Sequence, residues 1–201
     1  MPQDSTQARL RRHAPPEERR AQILAAALAC FSEKGYHAAT MDDLVRASGL
    51  SKGSLYWHFR GKQDVFLAVF DRFAAEIFAA WDAAAAEVED ALELLRRFGE
   101  IAIEGVGSQG VLLRAWAEFF SHPEARERLA GVYRRSRETL AATLRRGIAQ
   151  GEIRELPVEG MAAALTALIE GLLLQAMVDA DFEIRAHWPT LWDLACGGIA
   201  A

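Results

Sequence analysis

The sequence predicts an all-α protein, and three observations carry that prediction. Alanine fills 38 of the 201 positions, a composition that leans towards helix. Residues 17–122 hold no proline, and Pro15, Pro16, Pro123, Pro157 and Pro189 stand where helical patterns open, in the first turn that tolerates them. No segment of four or more residues alternates apolar and polar side chains between turn signals, as a half-buried strand would. A hydrophobic share of 51% with 25% charged residues suits a globular chain and argues against disorder.

The elements follow in order. A first helix is expected over 17–34. Its apolar stripe is Ile23, Leu24, Ala27, Leu28 and Phe31, with Glu17 and Glu18 at the positive end and Gly35 as the stop. Thr40 caps a short second helix, and Asp43, three residues on, completes an approximate capping box. Ser51 caps a third, over 52–59. Gly61 breaks the chain before a long fourth helix over 62–86. Further helices are expected over 89–104, 109–120, 123–150, 157–179 and 182–196, about nine in all.

No run reaches the 18 or so uninterrupted apolar residues of a membrane helix, and the first residues lack the apolar core of a secretory signal. Cys30 and Cys196 lie far apart within helical patterns. The expectation is a reduced, cytoplasmic chain with no metal, no cofactor and no membrane partner. The net charge of −5 conceals an asymmetry. Residues 1–62 hold ten Lys/Arg against six Asp/Glu, whereas the remainder holds thirteen against twenty-two. A basic head on an acidic body fits a DNA-reading module joined to a domain of another kind.

Within 35–62 two short helices meet at Ala47-Ser48-Gly49-Leu50-Ser51, where Gly49 supplies the positive φ of a tight turn. Met41, Leu44, Val45, Leu50, Leu55 and Phe59 would lock the pair onto the first helix. That leaves Lys52, Gly53, Ser54, Tyr56, Trp57 and His58 for a major groove. Lys52 can reach a phosphate or a guanine edge, and Gly53 lets backbone approach DNA. Ser54 and His58 offer hydrogen bonds, and the rings of Tyr56 and Trp57 suit thymine methyls and sugars. Thr40 and Lys62 stand at helix N-termini, which favour anions. Tyr36 and Arg46 are candidate flanking backbone contacts, and Arg9, Arg11 and Arg12 form a basic arm for phosphates or a minor groove.

This run, from Gly35 through Thr40-Met41, Leu44-Val45 and Ala47 to Phe59 and on to Lys62, closely resembles the N-terminal domain of the TetR family of bacterial transcriptional regulators. The resemblance implies DNA contacts at Thr40, Lys52, Gly53, Ser54, Tyr56, Trp57, His58 and Lys62. It implies a flexible arm at 1–16, a three-helix DNA-binding domain at 17–62 with its helix-turn-helix at 40–59, and an effector-binding, dimerising bundle at 63–201. Over 114–180 the chain is weakly similar to BetI-type regulators, on Arg114 to Phe119, Gly151-Glu152 and Glu170-Gly171-Leu172.

The body adds two expectations. Leu165, Ile169, Leu172, Leu173 and Met177 on one helix, with Trp188, Leu191 and Trp192 on the next, suggest a four-helix homodimer interface. Phe70, Phe73, Trp81, Phe98, Trp116, Phe119, Phe120 and Tyr133 are rings between helices that could frame space for an effector. Glu104, Glu118, Glu170 and Gln175 are the polar groups among them. Five scattered histidines, with no HExxH, P-loop, GxGxxG or GxSxG, give no catalytic residue, so the chain is not expected to be an enzyme. The expected function is a homodimeric repressor released from a palindromic DNA operator by a small, largely apolar or aromatic effector. The alternative is a DNA-binding regulator, or activator, without a small-molecule effector.

Overall fold

The computed structural model describes residues 15–107, 122–179 and 181–201. They form eight helices: α1 (Pro16–Ala38), α2 (Met41–Ser48), α3 (Lys52–His58), α4 (Lys62–Glu87), α5 (Ala91–Gly107), α6 (Pro123–Gln150), α7 (Val158–Val178) and α8 (Ile184–Ile199). Among the described residues the only β-type pairing is one bridge, Ile153 with Ala200. The helix expected over 109–120 lies outside them. Backbone contacts divide the chain into a unit ending at Phe70 and a second beginning at Asp71, so the boundary falls inside α4.

In the first unit, Pro16 opens α1 where its missing N–H costs nothing, and Glu17 and Glu18 complement the dipole. Ile23, Leu24, Ala27 and Phe31 are buried along one face. The backbone leaves helical geometry at Gly35 (φ 76°, ψ 168°), and one more turn carries Tyr36 into the core. α2 starts with a complete capping box. The Asp43 amide donates to Thr40 Oγ1 (3.2 Å), and the Thr40 amide donates to the Asp43 carboxylate (3.0 Å). It ends at Gly49 with φ 66°. Ser51 caps α3 by accepting from the Ser54 amide. Leu44, Leu55, Phe59, Phe31 and Phe66 close the core, with the Phe31 and Phe66 rings edge to face at 5.1 Å. The Gln22 side-chain amide donates to the Ser48 carbonyl (2.8 Å), tying α1 to the turn.

In the second unit, α5, α6 and α7 pack around Leu94, Phe98, Leu144 and Leu165. Trp81 lies nearly parallel to Phe98 at 4.9 Å, and its indole N–H donates to the Phe98 carbonyl (3.0 Å). The Glu152 carboxylate accepts from the Ala91 amide (2.7 Å), which caps α5 from another loop. Pro189 lies inside α8 and not at a helix start, contrary to the sequence expectation. α7 is long and apolar enough to cross a membrane by length and composition, and only 17% of that stretch is buried within the protomer. Cys30 and Cys196 are free thiols.

Candidate nucleic-acid interface

The helix-turn-helix holds α3 by one buried residue within it, Leu55, and one at its end, Phe59. A seven-residue helix anchored so narrowly turns most of its side chains outward. Lys52, Gly53, Tyr56 and Trp57 are exposed, and Ser54 and His58 are half-buried. Trp57 is 72% exposed and Tyr56 46%. Burial of either ring would stabilise a soluble fold, so two rings side by side in water mark a surface shaped for something else. The His58 ring stands edge-on to Trp57 at 4.6 Å. Partial burial, with Arg20 and Arg19 nearby, pushes its pKa below the ordinary imidazole value.

Three expected contacts are otherwise engaged. The Thr40 hydroxyl donates to the Asp43 carboxylate (2.7 Å) and accepts from the Asp43 amide, so it serves the cap. Tyr36 was expected at the DNA backbone, but it is buried between Phe31 and Phe66, and burial raises its phenol pKa. Its place in the core corrects that expectation. The Lys62 ammonium donates to the carbonyls of Tyr36 (2.7 Å) and His37 (3.0 Å) and lies 4.5 Å from the Tyr36 ring centre. It closes the C-terminal end of α1.

Sequence reasoning missed a charged hub. Asp43 is nearly buried and draws in Lys34 (2.8 Å) and Arg46. Lys34 first, then Thr40 and Arg46, hold its carboxyl well below the usual carboxylate range. Arg46 remains 74% exposed beside it. Asp42 was also missed: its carboxylate meets the Lys52 ammonium at 2.9 Å on the exposed side of α2. Two adjacent acids in the first turn of α2 carry the signal, of which only Asp43 is read from the sequence, as part of the cap. Arg9, Arg11 and Arg12 lie outside the described residues.

In the second unit, a groove of about 490 Å³ runs between α4 and α5 over Phe73, Ile77, Val88 and Ile101, with Glu76, Glu87, Glu104 and Arg97 at its sides. Among the expected pocket residues that are described, Phe73 and Glu104 line it. Phe70 is buried in the first unit, and Trp81 and Phe98 are packed in the second unit's core. Tyr133 and Glu170 are half-buried together. Burial first, then the Glu170 carboxylate, raises the phenol pKa. Gln175 is exposed and bonds its own helix at the Gly171 carbonyl. Trp116, Glu118, Phe119 and Phe120 fall outside the described residues.

The expected dimer residues divide. Leu165 and Leu172 are buried in the protomer's own clusters, which corrects their assignment to an interface. Leu173, Trp188 and Leu191 are half-buried against the Leu172 cluster, and Trp192 against the larger one. Ile169 and Met177 are half-buried. The apolar side chains left outward are Leu174 (60% exposed), Val178 (81%) and Leu194 (73%), none of which the sequence singled out.

Known proteins align with this arrangement. The family model of bacterial regulatory proteins, tetR family, matches residues 23–69. The model of the BetI-type transcriptional repressor C-terminal region matches 107–187. The HTH-type transcriptional regulator SrpR of Pseudomonas putida is 28% identical over 198 residues, 90% of this chain and 87% of that one. The uncharacterized HTH-type transcriptional regulator TtgW of the same species is 32% identical over 112 residues, 49% of this chain and 84% of its own. A crystal structure of a transcriptional regulator from Saccharomonospora viridis in complex with choline superposes with a TM-score of 0.80 at 28% identity, covering 92% of this chain and 99% of that one.

Proposed function

Because this chain belongs to the tetR family of bacterial regulatory proteins, we infer that it is a DNA-binding transcriptional regulator, a homodimer released from a two-fold operator by a small effector. The observation that carries the reading is the pair of exposed rings, Tyr56 and Trp57, on a helix fixed by the helix-turn-helix. In a major groove they meet thymine methyls and sugars, while Lys52, Ser54 and His58 meet base edges and phosphates.

One α3 buries little and neutralises few phosphates. Two copies about 34 Å apart roughly double both terms. The outward apolar residues Leu174, Val178 and Leu194 support pairing through α7 and α8, whose small neighbours Ala163, Ala167 and Gly171 permit close helix approach. α7's apolar length then serves a second subunit, and the protein works in the cytoplasm, where its DNA is.

The effector belongs to the second unit. The apolar floor of the α4–α5 groove suits a small, largely apolar or aromatic molecule, and the relative solved with choline bound indicates that such bundles admit small ligands. α4 is one continuous helix, with residues 62–70 in the first unit and 71–87 in the second. A ligand that displaces its later turns therefore acts on its first turns through the backbone, and needs a preference of only about 1–3 kcal/mol for the non-binding arrangement.

The test is Trp57→Ala in the full chain, read by fluorescence anisotropy on duplexes that the wild type selects from a random library. The variant keeps its helicity and dimer, and its affinity falls at least about tenfold, the equivalent of about 1.4 kcal/mol. Loss of the fold would place Trp57 in the core and refute the interface.

A further inference from the structure

We propose that Lys52 and Asp42 together read one G·C base pair in each half of the DNA site, and that Asp42 is the residue that sets this preference. The inference rests on α3 entering a major groove. The Lys52 ammonium, from the first turn of α3, and the Asp42 carboxylate, from the first turn of α2, meet at 2.9 Å, with the side chains 63% and 67% exposed.

A carboxylate on a surface that approaches phosphates is repelled unless it finds a hydrogen-bond donor. In the major groove the base pairs offer only cytosine N4 and adenine N6 as donors. The neighbouring ammonium narrows the choice. A G·C pair presents the guanine acceptors N7 and O6 beside the cytosine donor N4. O6 and N4 share a Watson–Crick hydrogen bond and so stand about 2.9 Å apart, which matches the spacing of Lys52 Nζ and Asp42 Oδ1. An ammonium carries three protons. One stays on Asp42 and two reach O6 and N7, while the carboxylate accepts from N4. The ion pair binds without breaking. At an A·T pair the ammonium finds one acceptor, N7 or O4, where guanine offers two. Away from its site, the pair holds Lys52 over α2, and a stray phosphate must compete with Asp42 for the ammonium. Indiscriminate binding is thereby weakened while recognition is kept.

The experiment is selection from a random duplex library with the full-length protein as wild type, Asp42→Ala and Lys52→Ala, each checked for unchanged melting and dimerisation. The wild type enriches half-sites with a G·C pair fixed at one position. Asp42→Ala loses the preference there, about 5- to 150-fold in relative affinity, and binds unselected duplex more tightly. Lys52→Ala loses the same preference. Asp42→Ala selecting the same base at every position, or wild-type sites without a fixed G·C pair, overturns the proposal. A wild type that enriches no duplex instead overturns the DNA-binding reading beneath it.

Discussion

Lys62→Met separates a structural lysine from a phosphate ligand. The last carbonyls of a helix have no partner within it, and at the end of α1 two of them, Tyr36 and His37, accept from the Lys62 ammonium at 2.7 and 3.0 Å. Methionine keeps the stem and removes the charge. A hydrogen bond to a charged group contributes about 1.5–3 kcal/mol, and for a half-exposed lysine the screened contribution is nearer about 1 kcal/mol each. The Tyr36 ring adds about 0.5 kcal/mol. Lys62→Met therefore loses about 2.5 kcal/mol, a fall of about 5–10 °C in the thermal midpoint followed by circular dichroism. The slope of log affinity against log salt on a random duplex stays within about half a unit of wild type, because the ammonium's protons are directed at the protein. An unchanged midpoint with a slope reduced by about 0.9 per protomer would show that Lys62 neutralises a phosphate and refute the reasoning.

Three further outcomes follow from the same geometry. The Asp43 carboxyl has a folded pKa below its unfolded one, so its contribution is full above about pH 4 and fades as pH falls below that value; melts at stepped pH should show an acid decline in wild type that Asp43→Asn removes. A Cβ at Gly99 would overlap the Trp188 ring, so Gly99→Ala must displace the ring and should cost about 1–3 kcal/mol in urea unfolding; an unchanged midpoint would mean that Trp188 does not sit there. The double variant Val178→Glu, Leu194→Glu should sediment as a folded monomer and bind DNA weakly, and a persistent dimer would move the interface off the outward face of α7 and α8.

The DNA-reading head was legible because its signals are local. Thr40 with Asp43, Gly49 and Ser51 fix helix ends within a few residues of themselves, and the observed bounds of α2 and α3 lie within one residue of those expected. The faces of α7 were not legible. It is apolar on nearly every side, so periodicity could not separate Leu165 and Leu172, which turn inward, from Leu174 and Val178, which turn outward. Partners distant in sequence were equally hidden. Nothing local says that Lys62 will reach residues 36 and 37, or that Gly99 makes room for Trp188. Two of the rings expected in a pocket, Trp81 and Phe98, pack in the core for a related reason: they complete each other, and a stack whose one polar atom is satisfied by a carbonyl belongs in a core.

The head's basic charge also overstates its hold on phosphates. Residues 1–62 carry ten cations, and several of those described are already engaged: Lys34 and Arg46 on Asp43, Lys52 on Asp42, and Lys62 on two carbonyls. Each cation so held subtracts from the counterion-release term that drives sequence-independent binding. The body, with twenty-two acids against thirteen bases, adds repulsion and no attraction. On the proposed reading, a protein so arranged depends on features that ignore net charge: uncharged ring surface at Tyr56 and Trp57, the paired charges of Lys52 and Asp42, and simultaneous engagement of two heads. That dependence makes a shift in helix spacing an effective switch. On that reading, loss of register in one head would leave the other only this weakened electrostatic attraction.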